Sequence, residues 1–483
     1  MGCVSVNPIN LPDGRAMNYQ LISVSVLSMT MWVAGGSLPS LAQTMEETPP
    51  AVQPIPSPAE SDYRRGINDL DQGDYDDAIA HFTEAIALDP SYAPAYAARG
   101  TAYLALDNLQ DALADFNQAL ALDPDNIMAY QGRGNVYTRL ERYADAMADL
   151  EDALRLDPSA PLSYLYRGIL YASMGEHRLA ISDFDEALTL QPDYPEALVY
   201  RGSSYTALGN RDAAIADYSQ AIALRPRYTE AYINRGLAYY NAGNLEAGAA
   251  DFNEAIRLDS NSASAYLNRA YVFSAGGNLA AALSDYDAAL ALNPNYAEAH
   301  MGRGLVLSAT NNPAEAIAAF SQAIAIRNDY TAAYKARGDV YLSIGDAANA
   351  LNDFDAAIQR QANYAEAYQG RANARLALGD TSGSMADLTQ VIALDGTNAR
   401  AYLDRGSLRA GMGDTAGAIT DYTSAIASNP QLGDAYYGRA LLQVELGNLN
   451  AAMQDFETAS TLFLEMGMAG RYRDTLEQMR ALQ

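Results

Sequence analysis

Twelve arginines recur at a constant 34-residue interval: Arg65, Arg99, Arg133, Arg167, Arg201, Arg235, Arg269, Arg303, Arg337, Arg371, Arg405 and Arg439. Each precedes a glycine or alanine inside apolar sequence, as in AYAARGTAY at residues 95–103. A guanidinium is a permanently charged, planar fork of donors that matches carboxylate or phosphate. A ladder of them therefore either grips a repeated anionic ligand, such as phosphate or glycan, or is satisfied by the chain itself. Sixteen residues after ten of the twelve stands an aspartate: Asp115, Asp149, Asp183, Asp217, Asp251, Asp285, Asp353, Asp387, Asp421 and Asp455. Only Arg65, opposite His81, and Arg303, opposite Ala319, lack this match. An acid in register favours the internal solution. The spacing predicts an ion pair, within a repeat or across to the next, that buries the arginine stem and satisfies its head.

Catalytic chemistry finds little footing. The three histidines, His81, His177 and His300, are far apart, and no HExxH, GxSxG, GxxxxGK or GxGxxG motif sits in a supporting context. DLDQGDYDD at residues 69–77 resembles a calcium loop, but Gly73 falls one place early and Ala80 occupies the position of the closing glutamate. It reads as a helix end and a turn. The single cysteine, Cys3, offers neither a disulfide nor a thiolate metal site. No catalytic residue, cofactor or metal site is expected, and the chain does not read as an enzyme. Acids outnumber bases by 59 to 31, for a net charge of −28, and the one lysine is Lys335. Such a surface is a poor partner for nucleic acid or an anionic membrane.

The elements that must position these groups repeat with them. In residues 93–126, Tyr96, Arg99, Gly100 and Tyr103 fall at helical spacing, as do Ala112, Phe116, Ala119 and Leu120. Between the two segments nine copies carry glycine: Gly73, Gly175, Gly209, Gly243, Gly277, Gly345, Gly379, Gly413 and Gly447. Glycine past a helix end allows the left-handed residue that closes it. Pro90, Pro124, Pro158, Pro192, Pro226, Pro294 and Pro430 stop the second helix. No strand is expected. One such hairpin cannot bury its apolar faces alone, so neighbours must stack into a helical solenoid.

The period, the small residue at Gly100, Ala112 and Ala119, the aromatic Phe116 and the terminator Pro124 closely resemble the tetratricopeptide repeat pattern. The resemblance implies an all-α fold, a right-handed α-solenoid superhelix of twelve 34-residue repeats over residues 59–466, with a capping helix over 467–483. It also implies that first helices line a concave groove that binds peptides or partner proteins. Carried onto this chain, the groove positions are Leu165, Ile169, Val199, Ile233, Leu237, Leu267, Tyr271, Met301 and Leu305, flanked by Tyr166, Tyr200, Asn234, Asn268 and Tyr240. The family's clamp for acidic tails pairs lysine with asparagine one turn on, whereas this chain has Lys335 with Asp339. Gly248, Ser260, Asn311, Ala319, Ser384, Leu388 and Val391 depart from the pattern, and looser stacking is expected there, most of all in the tenth repeat.

Residues 1–42 contain the apolar run LISVSVLSMTMWVA and end Ser-Leu-Ala, the form of a signal peptide, with an uncleaved anchor as the alternative. Residues 43–58 are a proline-rich linker. The expectation is an exported, periplasmic or extracellular scaffold that binds a protein or peptide partner. A binder of cell-wall polysaccharide and a self-associating homo-oligomeric spacer are the alternatives.

Overall fold

The computed structural model describes Ile9–Asn10, Ala16–Met17 and residues 57–482. The export segment and linker of the sequence reading lie outside the described residues, apart from two dipeptides and the linker's last two residues, Ser57, which caps the first helix, and Pro58, which begins it. Those dipeptides are strands β1 (Ile9–Asn10) and β2 (Ala16–Met17), paired antiparallel with Ile9 opposite Met17. This corrects the expectation of no strand.

The other described residues form helices joined by short turns. The first unit, Met1–Asn261, holds α1 (Pro58–Gln72), α2 (Tyr75–Leu88), α3 (Ala93–Ala105), α4 (Leu109–Leu122), α5 (Ile127–Arg139), α6 (Tyr143–Leu156), α7 (Pro161–Ser173), α8 (His177–Leu190), α9 (Pro195–Ala207), α10 (Arg211–Leu224), α11 (Thr229–Asn241) and α12 (Leu245–Leu258). The second, Ser262–Gln483, holds α13 (Ala263–Ala275), α14 (Leu279–Leu292), α15 (Ala297–Ala309), α16 (Pro313–Ile326), α17 (Thr331–Ser343), α18 (Ala347–Arg360), α19 (Ala365–Ala377), α20 (Thr381–Leu394), α21 (Ala399–Gly411), α22 (Thr415–Ser428), α23 (Gly433–Glu445), α24 (Leu449–Glu465) and α25 (Ala469–Ala481). Within each unit, odd and even helices pair as hairpins. Each even helix then packs on the next odd one, and successive odd helices also touch, as α5 does α7 and α13 does α15. α25 packs on α24, buries Thr475 and lays Met479 and Leu482 beside Phe456.

Local chemistry fixes the breaks between helices. The side chains of Asn108, Asn210, Asn244, Asp346 and Asp414 accept backbone N–H groups at the starts of second helices. All nine interhelix glycines of the sequence reading sit at φ between 76° and 84°. The other three copies place Asp107, Glu141 and Asn311 in the same left-handed conformation, at φ 57–59°. Side chains occupy that region at a cost of roughly 1–2 kcal/mol, less for Asp and Asn.

The core repeats as well. One large side chain per second helix is fully buried, Phe116 in α4 and Phe354 in α18 among them. Most of these rings lie against at least one first-helix glycine, and Phe116, Phe354 and Tyr422 lie between glycines of two: a Cβ added at Gly100 would meet the Phe116 ring at 2.8 Å, and one at Gly132 at 2.2 Å. The core of the tenth repeat is nonetheless closed, with Ser384, Leu388 and Val391 all buried. The physical reason is exchange of volume. Leu388 replaces the ring where Ala372 replaces the glycine.

All ten predicted ion pairs form, and within a repeat. In each, arginine Nε and Nη2 donate to the two oxygens of one aspartate, as in Arg99–Asp115 at 2.7 and 2.8 Å and Arg235–Asp251 at 2.8 and 2.8 Å. The aspartates are buried and the arginines mostly so; Asp251 is 6% exposed. The remaining Nη1 often reaches back one repeat, to Thr83 from Arg99, Asn117 from Arg133, Ser219 from Arg235 and Ser321 from Arg337. The two exceptions also find partners. Arg65 meets Asp62 at the surface, and Arg303 meets Asp287 of the preceding repeat at 2.7 Å.

Two outcomes follow. Arg235→Ala strands a buried carboxylate and should cost about 3–5 kcal/mol. Arg303→Ala breaks a half-exposed contact and should cost no more than about 1 kcal/mol. Melting curves and hydrogen exchange in α11–α12 and α15–α16 check the contrast, and equal losses would defeat it. Glu141→Gly should stabilise by up to about 1 kcal/mol, read as a higher melting temperature, by removing the left-handed side-chain penalty.

Candidate functional site

With the arginines engaged by the fold, the surface left for a partner is the row of first helices. Its residues were assigned from the family pattern, and the structure divides them. Leu165, Ile169, Val199 and Leu267 are 2–5% exposed. They belong to the cores between hairpins, Leu165 and Ile169 with Phe184 and Leu267 with Tyr286. These four are packing residues, because the second helix of the same repeat and the next first helix both pack against them. Ile233, Asn234 and Leu237 on α11 and Asn268 on α13 remain partly exposed, whereas Met301 and Leu305 on α15 pack partly against the Phe320 core and Tyr271 lies edge-on to Tyr286 at 6.0 Å. Tyr166, Tyr200 and Tyr240 are intermediate, with rings turned inward: Tyr200 stacks on Phe184 at 6.1 Å. The Tyr240 hydroxyl is buried with no hydrogen-bond partner among the described residues, and burial pushes it up to about 12.

Sequence reasoning missed a second layer, contributed by the turn before each first helix and by that helix's second residue. In the first unit Arg225 pairs with Glu196 at 2.7 Å and lies 4.9 Å from the Tyr228 ring. In the second unit Arg327 repeats the arrangement, 2.7 Å from Glu298 and 3.5 Å from Tyr330. Tyr194, Tyr228, Tyr296, Tyr330 and Tyr364 share one register, with Glu196, Glu230, Glu298 and Glu366 two residues after four of them. That Tyr-x-Glu recurrence was the available signal. Lys335 and Asp339 join this layer as a 2.7 Å pair on α17.

The electrostatics of this face are those of partly dehydrated acids and phenols. Burial raises the Tyr166, Tyr194, Tyr200 and Tyr228 hydroxyls above their ordinary range, with the Glu196 or Glu230 charges adding to it. Burial likewise raises the Glu230 carboxyl, against a hydrogen bond from Tyr228 that lowers it. Among the described residues no group of His, Cys, Asp and Glu is arranged to hold a metal, and no helix is long and apolar enough to cross a membrane. The face can bind by shape, apolar contact and hydrogen bonding.

Family models place the chain. Models described as tetratricopeptide repeat match residues 63–127, 267–331 and 403–461, residues 229–262, and residues 163–194. One described as TPR repeat matches 134–175 and 202–243. The chain belongs to the tetratricopeptide repeat family. No curated protein matches its sequence. Similar solved structures include yeast Tom70, at 17% identity and TM-score 0.39 over 84% of this chain and 96% of that one. Cut9–Hcn1 of the APC/C hetero-tetramer aligns at 14% and 0.43 over 80% and 96%. A tetratricopeptide repeat protein from Parabacteroides merdae aligns at 22% and 0.41 over 52% and 98%.

The Glu230 shift makes a pH prediction. A carboxyl raised by folding adds stability below its unfolded value, near 4.3, and loses it as pH rises through the folded value. Glu230→Gln should therefore raise the melting temperature at pH 7, with the gain shrinking toward pH 4. A gain independent of pH would contradict the burial argument.

Proposed function

We propose that this chain is a non-enzymatic scaffold that holds a partner protein or peptide on its first-helix face. The repeat family supports an interaction scaffold in general terms. The observation that carries the specific reading is the apolar pair Ile233 and Leu237, one turn apart on α11, half-exposed and absent from every core cluster. Asn234 lies between them, and Glu230 and Tyr228 lie one turn before. In the second unit Met301 and Leu305 hold the corresponding positions one turn apart on α15, partly packed against the Phe320 core. Apolar side chains of a peptide would anchor on these pairs while the amide, phenol and carboxyl groups satisfy its backbone.

The occupied arginines support this reading over a repeated anion ladder. The inward tyrosines likewise leave few flat rings for sugar. Export to the periplasm or beyond is proposed on the sequence of residues 1–42.

Peptides selected from a random display library on the full chain provide the test. Ile233→Asp with Leu237→Asp should weaken the selected peptides by at least about tenfold, or 1.4 kcal/mol. Leu208→Asp, on the exposed turn after α9, should leave them unchanged. Equal binding by the double variant would end the assignment to this face.

A further inference from the structure

The eighth repeat is built as though a carboxylate were missing. Its arginine, Arg303 on α15, faces Ala319 on α16 where ten other repeats supply aspartate. Ala319 and its neighbours do not close the gap. A shallow depression of about 290 Å³, largely open to solvent, lies there, lined by Arg303, Asp287, His300, Gln322, Leu290 and the two alanines Ala318 and Ala319. In ten other repeats an aspartate side chain stands at the position of Ala319. Arg303 Nε donates to Asp287 at 2.7 Å. Its Nη1 and Nη2 have no hydrogen-bond partner among the described residues.

We propose that this depression is a carboxylate-binding site, where a ligand supplies to Arg303 what an aspartate supplies to its counterparts. The ten internal pairs show the geometry: a planar carboxylate on the Nε–Nη2 edge, two bonds of 2.7–3.0 Å. Asp287 does not preclude an anion. Arg201 and Arg371 each hold two carboxylates at once, the preceding repeat's Asp185 or Asp355 on Nη1 at 2.6 Å and their own Asp217 or Asp387 on Nε and Nη2. Asp287 occupies the register of Asp185 and Asp355, so moving it from Nε to Nη1 frees the bidentate edge. The Gln322 amide supplies a further donor at the wall, and Leu290 and the alanines accept a short apolar stem. The fork selects a planar, two-oxygen anion over chloride. Its source is either a free small organic acid or an Asp or Glu side chain of a docked protein.

The test uses the full chain, with acetate and a capped aspartate (N-acetyl-aspartyl-N-methylamide) as probes and sodium chloride at matched ionic strength as the control. Carbon-13 line broadening of labelled acetate and the melting temperature are the readouts. Acetate should bind saturably and raise the melting temperature beyond the chloride control. Arg303→Ala should abolish both effects. Ala319→Asp, which installs the missing carboxylate, should also abolish binding while melting higher than the parent in plain buffer. Because this variant is expected to be the more stable one, the test holds even if Arg303→Ala folds poorly. Capped aspartate binding about tenfold tighter than acetate identifies a protein side chain as the ligand; comparable binding identifies a small acid. Acetate effects no larger than chloride, or unchanged in Ala319→Asp, overturn the site.

Discussion

A carboxylate can lie inside a stack of apolar helices only if donors meet both of its oxygens, and an arginine beside it only if its inward edge is engaged while the rest finds a partner or water. The Arg–Asp pair meets both conditions at once. It joins the two helices of a hairpin through Nε and Nη2, and in many repeats its third arm reaches back to a hydroxyl, amide or carboxylate of the preceding hairpin. Ion pairs of this kind add little net stability against apolar replacements of the same shape. Their effect is on geometry: a helix that slid or rotated by one residue would leave a buried charge unmet. The pair therefore fixes register, while the ring between glycines, such as Phe116 between Gly100 and Gly132, fixes distance.

Function follows from what that arrangement consumes. Arginines and second-helix aromatics are used by the fold, as are Leu165, Ile169, Val199 and Leu267. What remains to meet a partner is the half-exposed set on the first helices and the tyrosine and glutamate layer beside it. Repetition makes the exceptions informative. Where the pattern fails without compensation, as at Ala319, a shallow depression is left; where it fails with compensation, as at Leu388 opposite Ala372, the core stays closed.

Much of the fold was legible because a 34-residue period samples each constraint repeatedly. Helix limits, left-handed glycines, proline stops and ten charge partners all followed from residue types at fixed offsets. The Nη1 contacts were not drawn from the sequence. Their acceptors, among them Thr83, Asn117, Ser219 and Asp355, share one offset but not one chemistry, so no single residue type marked them.

The sequence by itself determined that helical hairpins stack and which charges pair, since local propensity and fixed spacing act within one repeat. Only the tertiary structure decided which first-helix side chains are left to solvent. That depends on how far the neighbouring hairpin's helix covers them: Leu165 and Ile233 occupy the same repeat position, yet one is buried and the other half-exposed. It also decided that a missing aspartate leaves an open depression at Ala319, because whether neighbours collapse into a gap is a property of packing in three dimensions.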